Sequence, residues 1–162
     1  PSSPWLYVLQ GLPAGVTINL LFALATEVGF RGLLFRAIQG GFWRRALLIG
    51  LADACFFLPM VAFVFRFPEH PLAGVGLLSA WCLLASPVLV YLRVRGTSVI
   101  PAAMFRGTVV ALTLTAAEMS NTGDWLRPFF GLSGLVGMTA LLVLFALHDR
   151  FVAEQSLMRA DG

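Results

Sequence analysis

Thr26-Glu27-Val28-Gly29-Phe30-Arg31-Gly32 lies inside a long apolar run, between Ile18-Asn19-Leu20-Leu21-Phe22-Ala23-Leu24-Ala25 and Leu33-Leu34-Phe35-Arg36. Glu27 and Arg31 stand four residues apart, so a helix puts them on one face, where they can pair. On a soluble helix such a pair carries no special meaning. On a helix that crosses a bilayer the two charges are costly, and they face the bundle interior or a polar cavity. What the rest of the chain brings to meet them decides how the helices assemble.

The 162-residue chain is 59% hydrophobic and only 12% charged, against roughly 25% charged in soluble domains. Its mean hydropathy is +0.87. These values define an all-α, multi-pass membrane protein, one transmembrane domain over residues 1–162, with the lipid bilayer as its first partner. All 11 basic residues are arginine. The net charge of +3 is accounted for by positive loops at a membrane surface and calls for no nucleic acid. Cys55 and Cys82 lie within apolar runs and read as packed free thiols, without zinc-type spacing. No cleavable signal pattern is present, and the chain opens at Pro1 rather than Met, which leaves room for residues upstream.

Taken in order, residues 1–13 hold Trp5 and Tyr7 with the flanking Pro4 and Pro13 and read as an interfacial lead-in, because Trp and Tyr favour the headgroup level. About five helices follow, over residues 14–38, 42–65, 72–92, 98–119 and 129–151. Gly40-Gly41 ends the first. Pro59 should kink the second and Pro87 lies inside the third. Pro101 opens the fourth, where proline is tolerated. Residues 66–71 form a loop, 93–97 a tight turn, 120–128 a polar loop, and a short polar tail closes the chain. Each apolar run reaches the roughly 20 residues that span a bilayer.

The arginines set the orientation. The side on which the first helix ends receives Arg36, Arg44, Arg45, Arg93, Arg95, Arg150 and Arg159, and the other side receives Arg66 and Arg127. The positive-inside rule makes the first side, with the C-terminus, cytoplasmic. At about 1.5 Å of rise per residue, Glu27 and Asp53 each lie about 16 Å deep, Arg106 about 12 Å and Arg31 about 10 Å. Two acids and two arginines from three helices thus fall at similar depth, where pairing is the least costly arrangement. The pattern fits a polar clamp that sets helix packing better than it fits the lining of a site.

The same stretch resembles the first motif, E-E-x-x-x-R, of the CAAX prenyl endopeptidase and bacteriocin-processing family (CPBP, also called Abi), often written E-E-L-G-W-R-G. Leu33-Leu34-Phe35-Arg36 is also similar to that family. Phe56-Phe57-Leu58-Pro59 resembles its second motif, F-x-x-x-H, often ending W-H-L-P. Ser98-Val99-Ile100-Pro101-Ala102-Ala103-Met104-Phe105-Arg106-Gly107 resembles the third, H-x-x-x-N or H-x-x-x-D after a Ser-x-x-Pro helix start. The resemblance spans about residues 14–115 and implies a CAAX-protease-like helical core.

In that family the first Glu activates a water, and the histidines with the Asn or Asp build a metal or oxyanion site. Carried over, the first Glu falls on Thr26, while the second Glu and the Arg are retained as Glu27 and Arg31. The second motif's Phe falls on Asp53 and its His on Phe57. The third motif's His falls on Arg106 and its Asn on Val110. The resemblance therefore implies a degenerate member without catalytic residues at Thr26, Phe57, Arg106 and Val110. Zinc needs about three ligands of His, Cys or carboxylate type. A guanidinium cannot ligate a cation, and threonine cannot act as a carboxylate base. No metal or other cofactor is expected, and Glu27, Arg31, Asp53 and Arg106 read as an ion-pair network in place of a metal site.

Other candidates are weaker. His148-Asp149 reads as interfacial, and His70, between prolines of the outer loop, as solvated. Glu118 and Asp124 read as loop charges. Phe and Trp read as lipid-facing or core. Gly131, Gly134 and Gly137 form a small-residue stripe that permits close helix contact, within the bundle or with a partner.

The reading is a non-catalytic binding, assembly or accessory subunit of a complex in the cell (inner or plasma) membrane, with other membrane protein subunits as partners. The alternatives are an active intramembrane endopeptidase with a non-standard site, which would require zinc, and an Abi-type immunity protein. A pigment- or small-molecule-binding module is a third class. The arginine asymmetry predicts that cysteines placed at residues 39–45 and 93–97 label from the cytoplasm and those at 66–71 from outside; the opposite pattern would refute the orientation.

Overall fold

A computed structural model describes residues 4–63, 70–119 and 131–158. The expectations for Arg66, the loop at 120–128 with Asp124 and Arg127, the Glu118 side chain and Arg159 lie outside the described residues. Every described element is helical. In order these are α1 (Pro4–Val16), α2 (Ile18–Glu27), a π-helical segment (Val28–Leu34), α3 (Phe35–Ala37), α4 (Phe42–Phe63), α5 (Pro71–Arg95), α6 (Ile100–Met119) and α7 (Leu132–Phe151).

By length and apolarity three spans could cross a membrane among the described residues: Ile18–Ala37, Pro71–Arg95 and Leu132–Phe151. α4 has 22 residues, but its first turn carries Arg44 and Arg45 and its middle carries Asp53. The apolar part of α6 covers Ile100–Thr113.

The N-terminal region differs most from the sequence reading. Residues 4–16 form a helix packed along α6, and Trp5 is exposed. The helix expected over residues 14–38 is broken at Thr17, where φ is −119° and ψ is −96°. The Thr17 hydroxyl donates to the Pro13 carbonyl at 2.7 Å, a local bond that competes with helical pairing. Past Glu27 the chain widens into a π-helix for seven residues, a form that is rare and frequent at functional sites. The expected turn at 93–97 lies later and is shorter, because α5 runs on to Arg95 and Gly96, Thr97, Ser98 and Val99 turn the chain. Pro59 and Pro87 both lie within continuous helices.

α5 is the central post, buried over most of its length. Trp81, Cys82, Ala85, Val88 and Leu89 meet Ala102 and Val109 of α6 and Met138 of α7 in one core. Phe42, Ala46 and Ile49 of α4 meet Val90 and Tyr91 in a second core towards the end of the bundle where α3 meets α4. Two glycines permit the closest crossings. A Cβ on Gly50 would stand 3.0 Å from the Ser86 Cβ of α5. A Cβ on Gly107 would stand 2.5 Å from the Gly15 carbonyl oxygen and 3.2 Å from the Leu20 nitrogen. These contacts bring α4 onto α5 and α6 onto the α1–α2 junction, as small residues do between apolar helices. Gly40 turns the chain between α3 and α4 at φ +115°, a conformation that side chains with a Cβ resist.

Outward faces stay apolar: Leu21, Phe22 and Leu33 on the first span, Leu51 and Phe56 on α4, and Val136 and Leu144 on α7 are exposed. Cys82 is buried, whereas Cys55 is exposed on that outward face of α4, a correction to the packed-thiol reading. In the glycine stripe of α7, Gly137 seats no close helix contact among the described residues. Nothing lies within 4 Å of a Cβ added at Gly137, which faces a groove between α5, α6 and α7.

Candidate functional site: a buried four-charge cluster beside an apolar cavity

Glu27 ends α2, Arg31 sits in the π-helical segment, Asp53 lies midway along α4 and Arg106 lies in the first half of α6. The packing that buries the apolar faces of these helices brings all four side chains together, with Glu27, Arg31 and Asp53 at 0% exposure and Arg106 at 5%. Asp53 is the hub. Arg106 Nη1 donates to Asp53 Oδ1 at 3.0 Å, and Arg106 Nη2 donates to Asp53 Oδ2, a two-pronged pairing of guanidinium and carboxylate. Arg31 Nη1 donates to the same Oδ2 at 2.9 Å and to Glu27 Oε1 at 3.2 Å. Arg106 Nε lies 2.6 Å from Glu27 Oε1, an ion-pair contact without hydrogen-bond alignment.

α5 joins through Ser86. Its hydroxyl accepts from Arg31 Nη2 at 3.4 Å and donates to the Ala46 carbonyl at 2.6 Å. Sequence reading did not single out Ser86; the signal was a hydroxyl beside Pro87 within an apolar helix. The Phe57 and Phe30 rings lie 5.3 and 5.8 Å from the Arg106 and Arg31 guanidinium carbons. Two carboxylates and two guanidiniums leave the cluster formally neutral. Among the described residues Glu27 Oε2 and Arg31 Nε are buried without a hydrogen-bond partner, a cost that the surrounding pairs must offset.

Arg106 also forms part of the wall of a cavity of about 280 Å³ between α2, α4, α5 and α6. Thr26, Phe57 and Val110, the other positions onto which the motifs carry catalytic groups, line the same cavity, as do Asn19 and Cys82. The polar groups there are already engaged. The Thr26 hydroxyl donates to the Ala23 carbonyl at 2.9 Å, and Asn19 Nδ2 donates to the Ala14 carbonyl at 3.2 Å. No carboxylate lines the cavity among the described residues. A divalent metal does not fit this donor set: phenylalanine and valine offer no lone pair, and the guanidinium is a fixed cation. Among the described residues no three His, Cys, Asp or Glu side chains gather at ligand spacing.

A second polar assembly lies at the C-terminal ends of α5 and α7. Asp149 is 1% exposed. It accepts from Arg95 Nη2 at 2.9 Å, from the Ser156 hydroxyl at 2.7 Å, and from the Leu157 and Met158 amides at 3.1 and 2.9 Å. The Trp43 indole donates to the Met158 carbonyl at 2.9 Å and so ties the tail to α4. His148 Nδ1 and the Tyr91 hydroxyl are 2.9 Å apart. His148 is exposed, whereas its neighbour Asp149 is buried, its carboxylate clasping the tail. His70 is exposed and precedes α5.

Comparison with known proteins returns no relative: no family model matches the chain, and neither does a curated protein or a solved structure.

Replacing Arg106 by histidine removes a fixed charge from a cluster that is neutral only as a whole. Arg106→His is expected to lower stability by about 3–5 kcal/mol, because a carboxylate is left buried without its cation. Unfolding in mixed micelles checks this, and an unchanged midpoint would contradict it.

Proposed function

We propose that the chain is a multi-pass integral membrane protein that is not a protease, and that it acts as a binding, assembly or accessory subunit of a complex in the cell membrane. Its core is that of a degenerate member of the CAAX endopeptidase-like family. The observation that carries this reading is the placement of Arg106. Its guanidinium is held by Asp53 and Glu27 at the wall of the cavity that Thr26, Phe57 and Val110 also line. A hydrolytic site of the family kind would need a water-activating carboxylate and metal ligands facing that cavity, and the side chains lining it at the motif positions are a threonine, a phenylalanine, a valine and a neutralised arginine. What these residues can do is hold helices together and enclose an apolar space.

The apolar outward faces and three apolar spans support a bilayer as the surrounding medium. Five crossings follow if α4 and α6 complete the bundle. The arginines gathered at one end support a cytoplasmic C-terminus.

Elemental analysis of the protein purified in mild detergent tests the non-catalytic reading. The expected result is no stoichiometric zinc and no peptidase activity, for the wild type and for Arg106→His alike. About one zinc per chain, lost on Glu27→Ala, would overturn it in favour of an active endopeptidase.

A further inference from the structure

Among the described residues most arginines at the end of the bundle where α3 meets α4 have no counter-charge within ion-pair distance. Arg95 is neutralised by Asp149. Arg45 and Arg93 are not: neither has a carboxylate within ion-pair distance among the described residues. Yet they converge. Their guanidinium carbons lie 4.8 and 5.6 Å from the centre of one ring, that of Phe35. Both line a cavity of about 480 Å³ at the junction of α3, α4 and α5, together with Gly40, Gly41 and Thr97. Arg45 Nε is buried and lacks a hydrogen-bond partner among the described residues. Arg93 Nε donates to the Arg31 carbonyl at 3.1 Å, which anchors that side chain to the π-helical segment.

Two fixed cations beside one aromatic ring repel each other, and an anion between them would offset that repulsion and give Arg45 Nε an acceptor. Gly41 and Phe42 of the wall open α4, whose first turn holds no acidic side chain, so the positive end of a long helix dipole adds to the field. Beside the cavity the outward surface turns apolar at Leu33, Leu47 and Leu48. An anion held here would sit where charged protein meets apolar surface, the position of a headgroup carrying acyl chains.

We propose that this cavity binds the phosphate of an anionic phospholipid, with Arg45 and Arg93 as its ligands. The site rests on the bilayer reading above, since only a membrane supplies this ligand at that level. Basic pockets between helices on the cytoplasmic side are the kind of place where such headgroups bind. The lipid would tie α3, α4 and α5 together at the same end as the Asp149 clasp.

The test is native mass spectrometry of the full chain in mild detergent, with phosphatidylglycerol and phosphatidylcholine of identical acyl chains. The wild type should retain phosphatidylglycerol in preference to phosphatidylcholine. Arg45→Gln should weaken phosphatidylglycerol binding by on the order of tenfold. Arg45→Lys, which keeps the charge, should restore most of it, and Arg150→Gln, which removes an exposed arginine elsewhere at the same end, should leave it unchanged. Equal binding by wild type and Arg45→Gln would overturn the site, and so would equal losses in Arg45→Gln and Arg150→Gln. Displacement of the lipid by inorganic phosphate at equal concentration would overturn the lipid as ligand and assign the site to a free anion. Carbonate extraction of membranes separates the two levels. Protein that stays with the membrane but shows no lipid preference refutes this site alone, whereas protein released by carbonate refutes the bilayer reading with it.

Discussion

The pairing of Arg106 with Asp53 is the constraint on which the arrangement of helices depends. Each charge would be prohibitive alone in an apolar interior, and each is tolerable only where the other is. Arg106 belongs to α6 and Asp53 to α4, helices 53 residues apart at these positions, so the pair sets which levels of the two helices face each other. Arg31 and Glu27 extend the constraint to the first span, and Ser86 extends it to α5. Apolar contacts could slide along these helices at modest cost. The charges cannot, because any shift leaves one of them unpaired in the interior.

That constraint shapes what the adjoining cavity can do. A guanidinium already shared between two carboxylates has no capacity left to hold a metal or to orient an activated water, and its charge is spent within the cluster. The cavity keeps its volume and its apolar wall. Arg106 alone belongs to both the cluster and the cavity wall, so its charge is committed to holding the helices together.

How far the sequence foretells this differs by feature. Helix positions from α4 onward are legible because long apolar runs are bounded by Gly40, Gly96, prolines and arginines, and because Asp53 and Arg106 stand out as isolated charges within them. Counting residues from the helix ends places the four charges at similar depth, and the structure brings them into contact. The break at Thr17 and the π-helical winding of Val28–Leu34 are not legible, since both are single-residue adjustments of hydrogen bonding inside an apolar run that reads as one helix. Asp149 is missed for a different reason. Two of its partners are backbone amides of its own tail, and amides carry no mark in a sequence.

A double-mutant cycle between Asp53 and Arg106, read from unfolding in mixed micelles, tests the role of the cluster most directly. Asp53→Leu leaves the cluster with two cations and one anion, and Arg106→Leu leaves the reverse, so each single change should cost about 3–5 kcal/mol. The double variant leaves Glu27 and Arg31 to neutralise each other, and it should be more stable than either single variant, with strongly non-additive costs. Additive costs, with the double variant the least stable of the three, would contradict the account.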